Sequence, residues 1–545
     1  MTSINKVYLF LIITSISAKS LTTRHSYNTL IDENSINHAT PHITNLLRNK
    51  TDGFSSEEKQ KLQILGLTEK DGKFKAIQPT DLDQNYNTEH FIFYYTLEGN
   101  DAVESLEYII EMGYVYEEVW KFYIDTLGYD PPPLGENNFY QIYVQNLPSF
   151  YFGITYTTDG VISEPSCLSF IKMRNNYSAS QFSLLTELEN IKVTAVHEFF
   201  HAIQFGYNCY EKLWMMEATA VWSEDKLYDN INDLYRYIPS WFNNPQTPLN
   251  DETSHMYGSF IFFQYLDEHH GGVNTIKSCW EYSRQLASSQ ADMSIIAIDN
   301  ALKDENSSFN QAHSRMRIAN LIMSNNSTLG PYAYHEADGY KSVIENISQQ
   351  MILFESGDDK IIQNLYSREF SSSYYDIISE SSFSIELIDD QNNFQLTSVT
   401  KKSNQDDWDI RVSDNINIDP TINFEWIKLI ITSNRFNDIN PSYTFKIMDG
   451  YSEDFTFFPP YPNPSINESI NFKIQVISPQ IIELKLFNLL GERVWFENIL
   501  FNESQIREIT WNGRNQKGES SSSGVYFLNI KGKKSTKSFK LIRLK

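Results

Sequence analysis

The chain has 545 residues, with 44 Lys and Arg against 69 Asp and Glu, and a formal net charge of −25. That balance argues against nucleic acid as a partner, because phosphate binding needs clustered Lys and Arg, while 41% hydrophobic and 14% aromatic residues exclude a wholly disordered chain. Three cysteines (Cys167, Cys209 and Cys279) with no C-x-x-C pair exclude a disulfide scaffold and a cysteine metal cluster, and leave room for one bridge.

At about 150 residues per domain the length predicts three or four domains. The amino terminus reads as a secretory signal. Lys6 precedes the apolar run Val7–Ile16, which gives way to the small residues Ser17, Ala18 and Ser20, so cleavage is expected near 18–20. No other apolar run approaches the ~18 residues of a membrane helix, so the expectation is an exported chain with no transmembrane segment. Residues 21–85 are polar, with one short helix near Ser55–Leu65, and are expected to be a pro-segment or linker.

Regular order is predicted from His90–Tyr95, a strand. A helix follows over Val103–Leu127, with apolar residues at helical spacing, stopped by Gly128 and Pro131–Pro133. Phe139–Val144 and Gly153–Thr157 read as further strands, and helical patterns dominate from Leu184 to about Asn325. After Ser356 the period changes to two. Ser382–Ile388, Asn393–Val399, Trp408–Val412, Trp426–Thr432 and Tyr443–Met448 are short strands between Asn, Asp and Ser turns, the pattern of a β-sandwich. It carries no chemical motif and reads as a spacer or adhesive module. From Tyr461 onward the charge reverses, 13 Lys and Arg against 7 Asp and Glu, which marks a separately used module.

The chemistry concentrates in His197-Glu198-Phe199-Phe200-His201, an H-E-x-x-H sequence inside the helical stretch Leu184–Phe205. Thr194, His197, Glu198 and His201 form one polar stripe; Val193, Ala195, Val196, Phe199, Phe200, Ala202 and Ile203 cover the other faces. Two imidazoles and a carboxylate in such surroundings are costly unless something satisfies them. A tetrahedral Zn²⁺ does so, because histidines at i and i+4 project from one face a single turn apart. Glu198 is then placed to take a proton from a zinc-bound water. A third ligand is expected on the next helix, Leu213–Leu227, where Glu217 lies among Trp214, Ala218, Val221 and Trp222, sixteen residues beyond His201. Glu224 or Asp225 is a candidate acceptor for the N–H of a ligating histidine. Tyr257 and His255 are candidate oxyanion donors at the start of a helix running to His270, and His269 and His270 are expected to cap its end.

H-E-x-x-H followed by W-x-x-E-A-x-A resembles gluzincin-type zinc metallopeptidases, and in particular a group of secreted bacterial members carrying HEFFHAIQ and WMMEATAVW almost as written here. The resemblance covers about residues 90–325. It implies zinc held by His197, His201 and Glu217, Glu198 as general base and a polypeptide substrate. One departure is Val221, where some gluzincins carry Asp four residues after the ligand Glu.

The carboxyl terminus bears a second resemblance. Tyr461-Pro462-Asn463-Pro464, LKLFNLLGERV (Leu484–Val494), TWNGRNQKG (Thr510–Gly518), SSGVYFLNI (Ser522–Ile530) and a basic end are together similar to the type A sorting domain of the bacterial type IX secretion system. That implies recognition by an outer-membrane translocon and a secreted or outer-surface location, reached through the periplasm.

The expected fold is a multidomain α+β chain. A signal peptide (1–20) and pro-segment or linker (21–85) precede a mainly α-helical, zincin-like domain with a short β-sheet (86–355). A β-sandwich (356–455) and a small sandwich sorting domain (456–545) complete it. The leading functional expectation is an exported zinc endopeptidase. The alternatives are a surface adhesin or binding protein with a zinc-bound, inactive core, and a zinc hydrolase of another acyl substrate.

Overall fold

The structure is a computed structural model that describes the backbone of residues 8–11, 23–31, 38–135, 137–148, 151–163, 165–287, 292–344, 347, 349–357, 359–364, 367–388, 393–403, 408–418, 424–434, 442–450, 455–466, 469–476, 479–503, 505–533 and 535–544. The architecture is α+β, with helical segments and several sheets.

The first large sheet has five strands in the order Gln84–Asn87, Phe91–Tyr95, Tyr140–Gln145, Ser166–Arg174, Gly153–Ser163. Its middle three strands run parallel, and the hairpin partner Gly153–Ser163 returns antiparallel as an edge. Alternation along Tyr140–Gln145 sends Tyr140, Ile142 and Val144 to one face and Tyr143 to the other. The first face packs on helices, with Phe91 5.2 Å from Phe199 between ring centres. The second face is covered by the amino-terminal stretch: Ile43, Leu46, Leu62 and Phe74 form a core with Tyr143, Ile154, Tyr156 and Phe170. The segment that composition marks only as polar is therefore packed through much of its length.

The helix predicted over Val103–Leu127 starts at Leu106, runs as α-helix to Trp120 and finishes in a wider π turn, Lys121–Thr126. Gly128, at φ +68°, then turns the chain. The stretch predicted to be one helix from His255 to His270 is broken at Ser259 into a single turn, His255–Gly258, and a helix, Phe260–His269.

Beyond residue 349, two five-stranded sheets enclose a core of Ile352, Tyr375, Ile385, Leu396, Leu429 and Phe445. Five strands outside the predicted set belong to them: Gln350–Phe354, Lys360–Asn364, Ser372–Ser379, Asn415–Ile418 and, from the amino terminus, Tyr8–Leu11. Tyr8–Leu11, inside the expected leader, lies parallel to Lys360–Asn364. The outer face of one sheet is buried too, since Tyr374, Val399 and Ile430 join the core of the helical region. Polar contacts cross the same junction: Arg317 donates to the Phe370 carbonyl at 3.0 Å and Tyr374 to the Arg317 carbonyl at 2.9 Å. The last sandwich, from Phe455 to Leu544, pairs a three-stranded with a five-stranded sheet around its own core of Phe472, Ile474, Leu484, Leu486, Trp511 and Leu528.

Candidate metal centre

Two consecutive helices carry the centre. Glu187–Asn208 begins at a capping box, Thr186 accepting from Glu189 N–H while the Glu189 carboxylate accepts from Thr186 N–H. Leu213–Tyr228 follows after a short turn. The disulfide Cys167–Cys209 ties the end of the first helix to the Ser166–Arg174 strand, and Cys279 remains a buried free thiol.

His197, Glu198, His201 and Glu217 are all buried. His197 Nε2 lies 3.1 Å from His201 Nε2 and 3.4 Å from Glu217 Oε2, and His201 Nε2 lies 3.1 Å from Glu217 Oε1. Tetrahedral zinc with bonds of about 2.0–2.1 Å sets its ligand atoms about 3.3 Å apart, and each of these separations is close to that, the two imidazoles meeting different oxygens of the Glu217 carboxylate. Neither Glu217 oxygen has a properly aligned hydrogen bond. A buried carboxylate left this way is costly, and a cation is what the donor set fits.

Partners outside the set fix the rings. His197 Nδ1 lies 2.6 Å from Glu224 Oε1, and His201 Nδ1 lies 2.8 Å from Gln204 Oε1. Gln204 is itself anchored, donating to the Met216 carbonyl and to Thr219 Oγ1, both at 2.9 Å. Of the two candidate acceptors, Glu224 is the one placed against His197. Asp225 faces Asp229 and Glu336 instead, and burial, followed by the charge of Glu336, pushes its carboxyl up to about 8. Without a cation, a proton takes over the neutralising role. Burial opposes protonation of His197, but Glu217 and Glu224 carry its imidazole up to about 10. Glu217 is opposed by burial too, and the charges of His201 and His197 hold it well below the usual carboxylate range.

Glu198 projects beside the donors toward the edge strand. Its Oε2 accepts from Thr40 Oγ1 at 2.9 Å and lies 2.6 Å from Thr155 Oγ1. Gly153 makes this approach of strand to helix feasible: a Cβ there would sit 2.7 Å from Thr194 Cγ2 and 2.9 Å from Glu198 Cγ. His38 stacks on His197 with ring centres 4.2 Å apart, and its Nε2 lies 2.6 Å from the Tyr237 hydroxyl. His38, His197 and Glu217 each offer a ligand atom within 4.8 Å of the others. Burial, then the charge of His197, holds the His38 imidazole well below its ordinary pKa, which leaves it neutral. The remaining cavity, lined by His38, Phe152, His197, Glu198, Asp233 and Arg236, measures about 10 Å³, room for about one water.

Tyr257 stands next to this group, its ring 5.2 Å from those of His38 and Tyr237, with a buried hydroxyl lacking a partner. Burial, then Glu217, Tyr237 and Glu198, keeps the phenol protonated as a donor. His255 is placed elsewhere. It stacks on Trp241 at 4.8 Å, and burial with the charges of Arg317 and Arg368 pulls it down to about 3. His270 ends its helix only through its backbone N–H on the Leu266 carbonyl; burial, then the charge of Arg315, pulls its imidazole down to about 4, so it does not cap as a cation, and the His269 ring bonds the Ala333 carbonyl outside that helix.

His38, Thr40, Thr155, Gln204 and Tyr237 were not singled out by sequence reasoning. Gln204 had the best available signal, because it lies three residues after His201 on the same helix. The others come from separate segments that only the fold assembles.

A family model described as the secretion system C-terminal sorting domain matches residues 460–544. No curated protein matches the chain. Among solved structures, PorZ, a surface component of the type-IX secretion system of Porphyromonas gingivalis, is similar at 18% identity with a TM-score of 0.13, covering 18% of this chain and 14% of that one. Dimeric latent PorU from the same organism is similar at 9% identity and TM-score 0.14, covering 36% and 32%. A β-glucuronidase from Parabacteroides merdae is similar at 12% identity and TM-score 0.16, covering 32% and 28%. This chain spans a third or less of each of those proteins, and likenesses this faint carry no argument about fold or activity. The sorting domain makes the chain a secreted or cell-surface protein addressed to the type IX translocon. Among the described residues no helix is long and apolar enough to cross a membrane.

Proposed function

We propose that the chain is an exported zinc-dependent endopeptidase, with a zincin-like helical domain of gluzincin type built around His197, His201 and Glu217. The observation that carries this reading is the convergence of three buried donor groups, the two Nε2 atoms 3.1 Å apart and each 3.1–3.4 Å from one oxygen of the Glu217 carboxylate, with the carboxylate of Glu198 on the adjoining face of the same helix. A zinc ion held by this set supplies a Lewis acid that polarises a carbonyl and acidifies a water.

The protein residues do the rest. Glu224 and Gln204 hold the two imidazoles in the tautomers that present Nε2. Glu198 accepts the proton of the attacking water and passes it to the leaving amine. The Tyr257 hydroxyl, protonated and unpartnered, donates to the oxyanion. Apolar helix faces around the stripe exclude bulk water, which strengthens each of these interactions.

The test uses the secreted form recovered from the culture medium. It should contain one zinc per chain, lost in His201→Ala, and should hydrolyse a generic protein substrate. Glu198→Gln should keep the zinc and lose hydrolysis by at least about a hundredfold, as expected for removal of a general base. Zinc without hydrolysis in the unmodified protein would favour the second reading, a surface binding protein with an inert metal core. The small cavity, about 10 Å³, supports that alternative.

A further inference from the structure

The open side of the three-donor face is not facing solvent. It is covered by residues 38–40, from the amino-terminal stretch that also packs on the far face of the first large sheet. Three separate contacts converge there. His38 lies over His197 and offers a ligand atom within 4.8 Å of His197 and Glu217. Thr40 donates to Glu198 Oε2 at 2.9 Å. The same Thr40 oxygen accepts from the backbone N–H of Thr155 at 2.9 Å, a donor on the edge strand that an incoming extended peptide would otherwise pair with. The stretch is held in place beyond this point as well. Arg48, at the end of the helix Thr40–Arg48, donates to the carbonyls of Glu211 and Cys209, at 2.9 and 2.7 Å, in the turn between the two metal-centre helices.

The geometry points to His38 as a fourth protein donor to the ion, closing a centre that a hydrolase needs open. This rests on the zinc reading above. The His38 ring is oriented from outside the set, its Nε2 held by the Tyr237 hydroxyl, in the manner of ligating imidazoles. With Nε2 so engaged, Nδ1 is the nitrogen left to donate. Four protein ligands describe a structural zinc site, three an open catalytic one. The full chain therefore carries a capped centre in which the fourth position, the base and the edge-strand N–H are all occupied by residues 38–40. Displacing that one stretch frees all three together.

The experiment uses the full chain, purified without proteolysis and loaded with Co²⁺, whose visible spectrum reports the donor set. His38→Phe keeps a ring against His197 and removes the donor; His38→Ala also removes the cover. The wild-type spectrum should not respond to acetohydroxamate. His38→Phe should change the spectrum in the absence of any probe, and His38→Ala should bind acetohydroxamate at least tenfold more tightly than wild type and release Co²⁺ to a chelator at least tenfold faster. An unchanged His38→Phe spectrum, or a wild-type spectrum that responds to acetohydroxamate as His38→Ala does, would overturn the proposal while leaving the metal centre standing. Failure of wild type and both variants to take up Co²⁺ would overturn the zinc reading, and this inference with it. Should either variant misfold, the other still decides the question.

Discussion

The described residues form two β-sandwiches that are packed in opposite ways. The carboxyl-terminal one closes a core of its own around Leu484, Leu486 and Trp511. The middle one buries one sheet on both faces: along Phe424–Ser433, Ile427, Leu429 and Ile431 fill the sandwich while Ile430 packs with the helices. Alternating burial on one face gives a module that can be detached, whereas burial on both ties the sheet to its neighbour. The middle sandwich thus packs directly on the helical region, a contact that its lack of chemical motifs does not reveal.

The largest expected effect separates the two at once. Deleting residues 461–545 should leave the unfolding transition and metal uptake of the remainder unchanged, and should leave the truncated protein in the periplasm on fractionation. Ending the chain at 355 instead should prevent folding. It exposes the surface that Phe370, Tyr374, Val399 and Ile430 cover, at about 1.5–3 kcal/mol for each large side chain, against a net domain stability of roughly 5–15 kcal/mol.

The next effect is one of pH. The carboxyl-terminal sandwich contains no histidine, while His197 is raised to about 10 in the metal-free centre. A raised folded-state pKa stabilises fully below the unfolded value, about 6.5, and that contribution is lost as pH rises through the folded one. Denaturation of the zinc-free chain between pH 6.5 and 10 should therefore show the helical unit weakening and the last sandwich unaffected, and saturating zinc should flatten the response by holding the imidazole neutral.

Smaller effects should stay within their own unit. Leu486→Ala, at a fully buried position, should cost about 2–5 kcal/mol in the carboxyl-terminal transition alone. Arg317→Met keeps most of the stem but loses the hydrogen bond to the Phe370 carbonyl and the charge over Trp241. It should cost about 2 kcal/mol, seen as a joint weakening of helices and middle sandwich. Two separate transitions in that variant would mean that the shared core does not couple them.

The juxtaposition of His197, Glu198, His201 and Glu217 was legible because burying such groups in two apolar helices conflicts with local rules unless they meet one another. The strands Phe383–Leu387 and Tyr443–Asp449 were legible through period-two patterns. Gln350–Phe354 and Ser372–Ser379 were not: SSYYDIIS is buried at its first four residues in succession, so the sequence does not alternate. The amino-terminal cover was illegible for a different reason. Its buried residues include Thr40, His42, Thr44 and Asn45, polar types, and Thr40 is satisfied by Glu198, far away in sequence. Composition reads such a stretch as solvated.

The Cys167–Cys209 bridge sets an order of events. It closes a loop of 42 residues that contains most of the Ser166–Arg174 strand, both histidines of the centre and Glu198. In the chain-entropy picture a loop of that length is worth about 4 kcal/mol, and the bridge forms only where thiols are oxidised. A chain still in a reducing compartment lacks that clamp on the geometry of the candidate donors. Oxidation after crossing the inner membrane therefore comes before a fully braced centre, and a preparation made in a reducing cytoplasm would understate both its metal affinity and its stability.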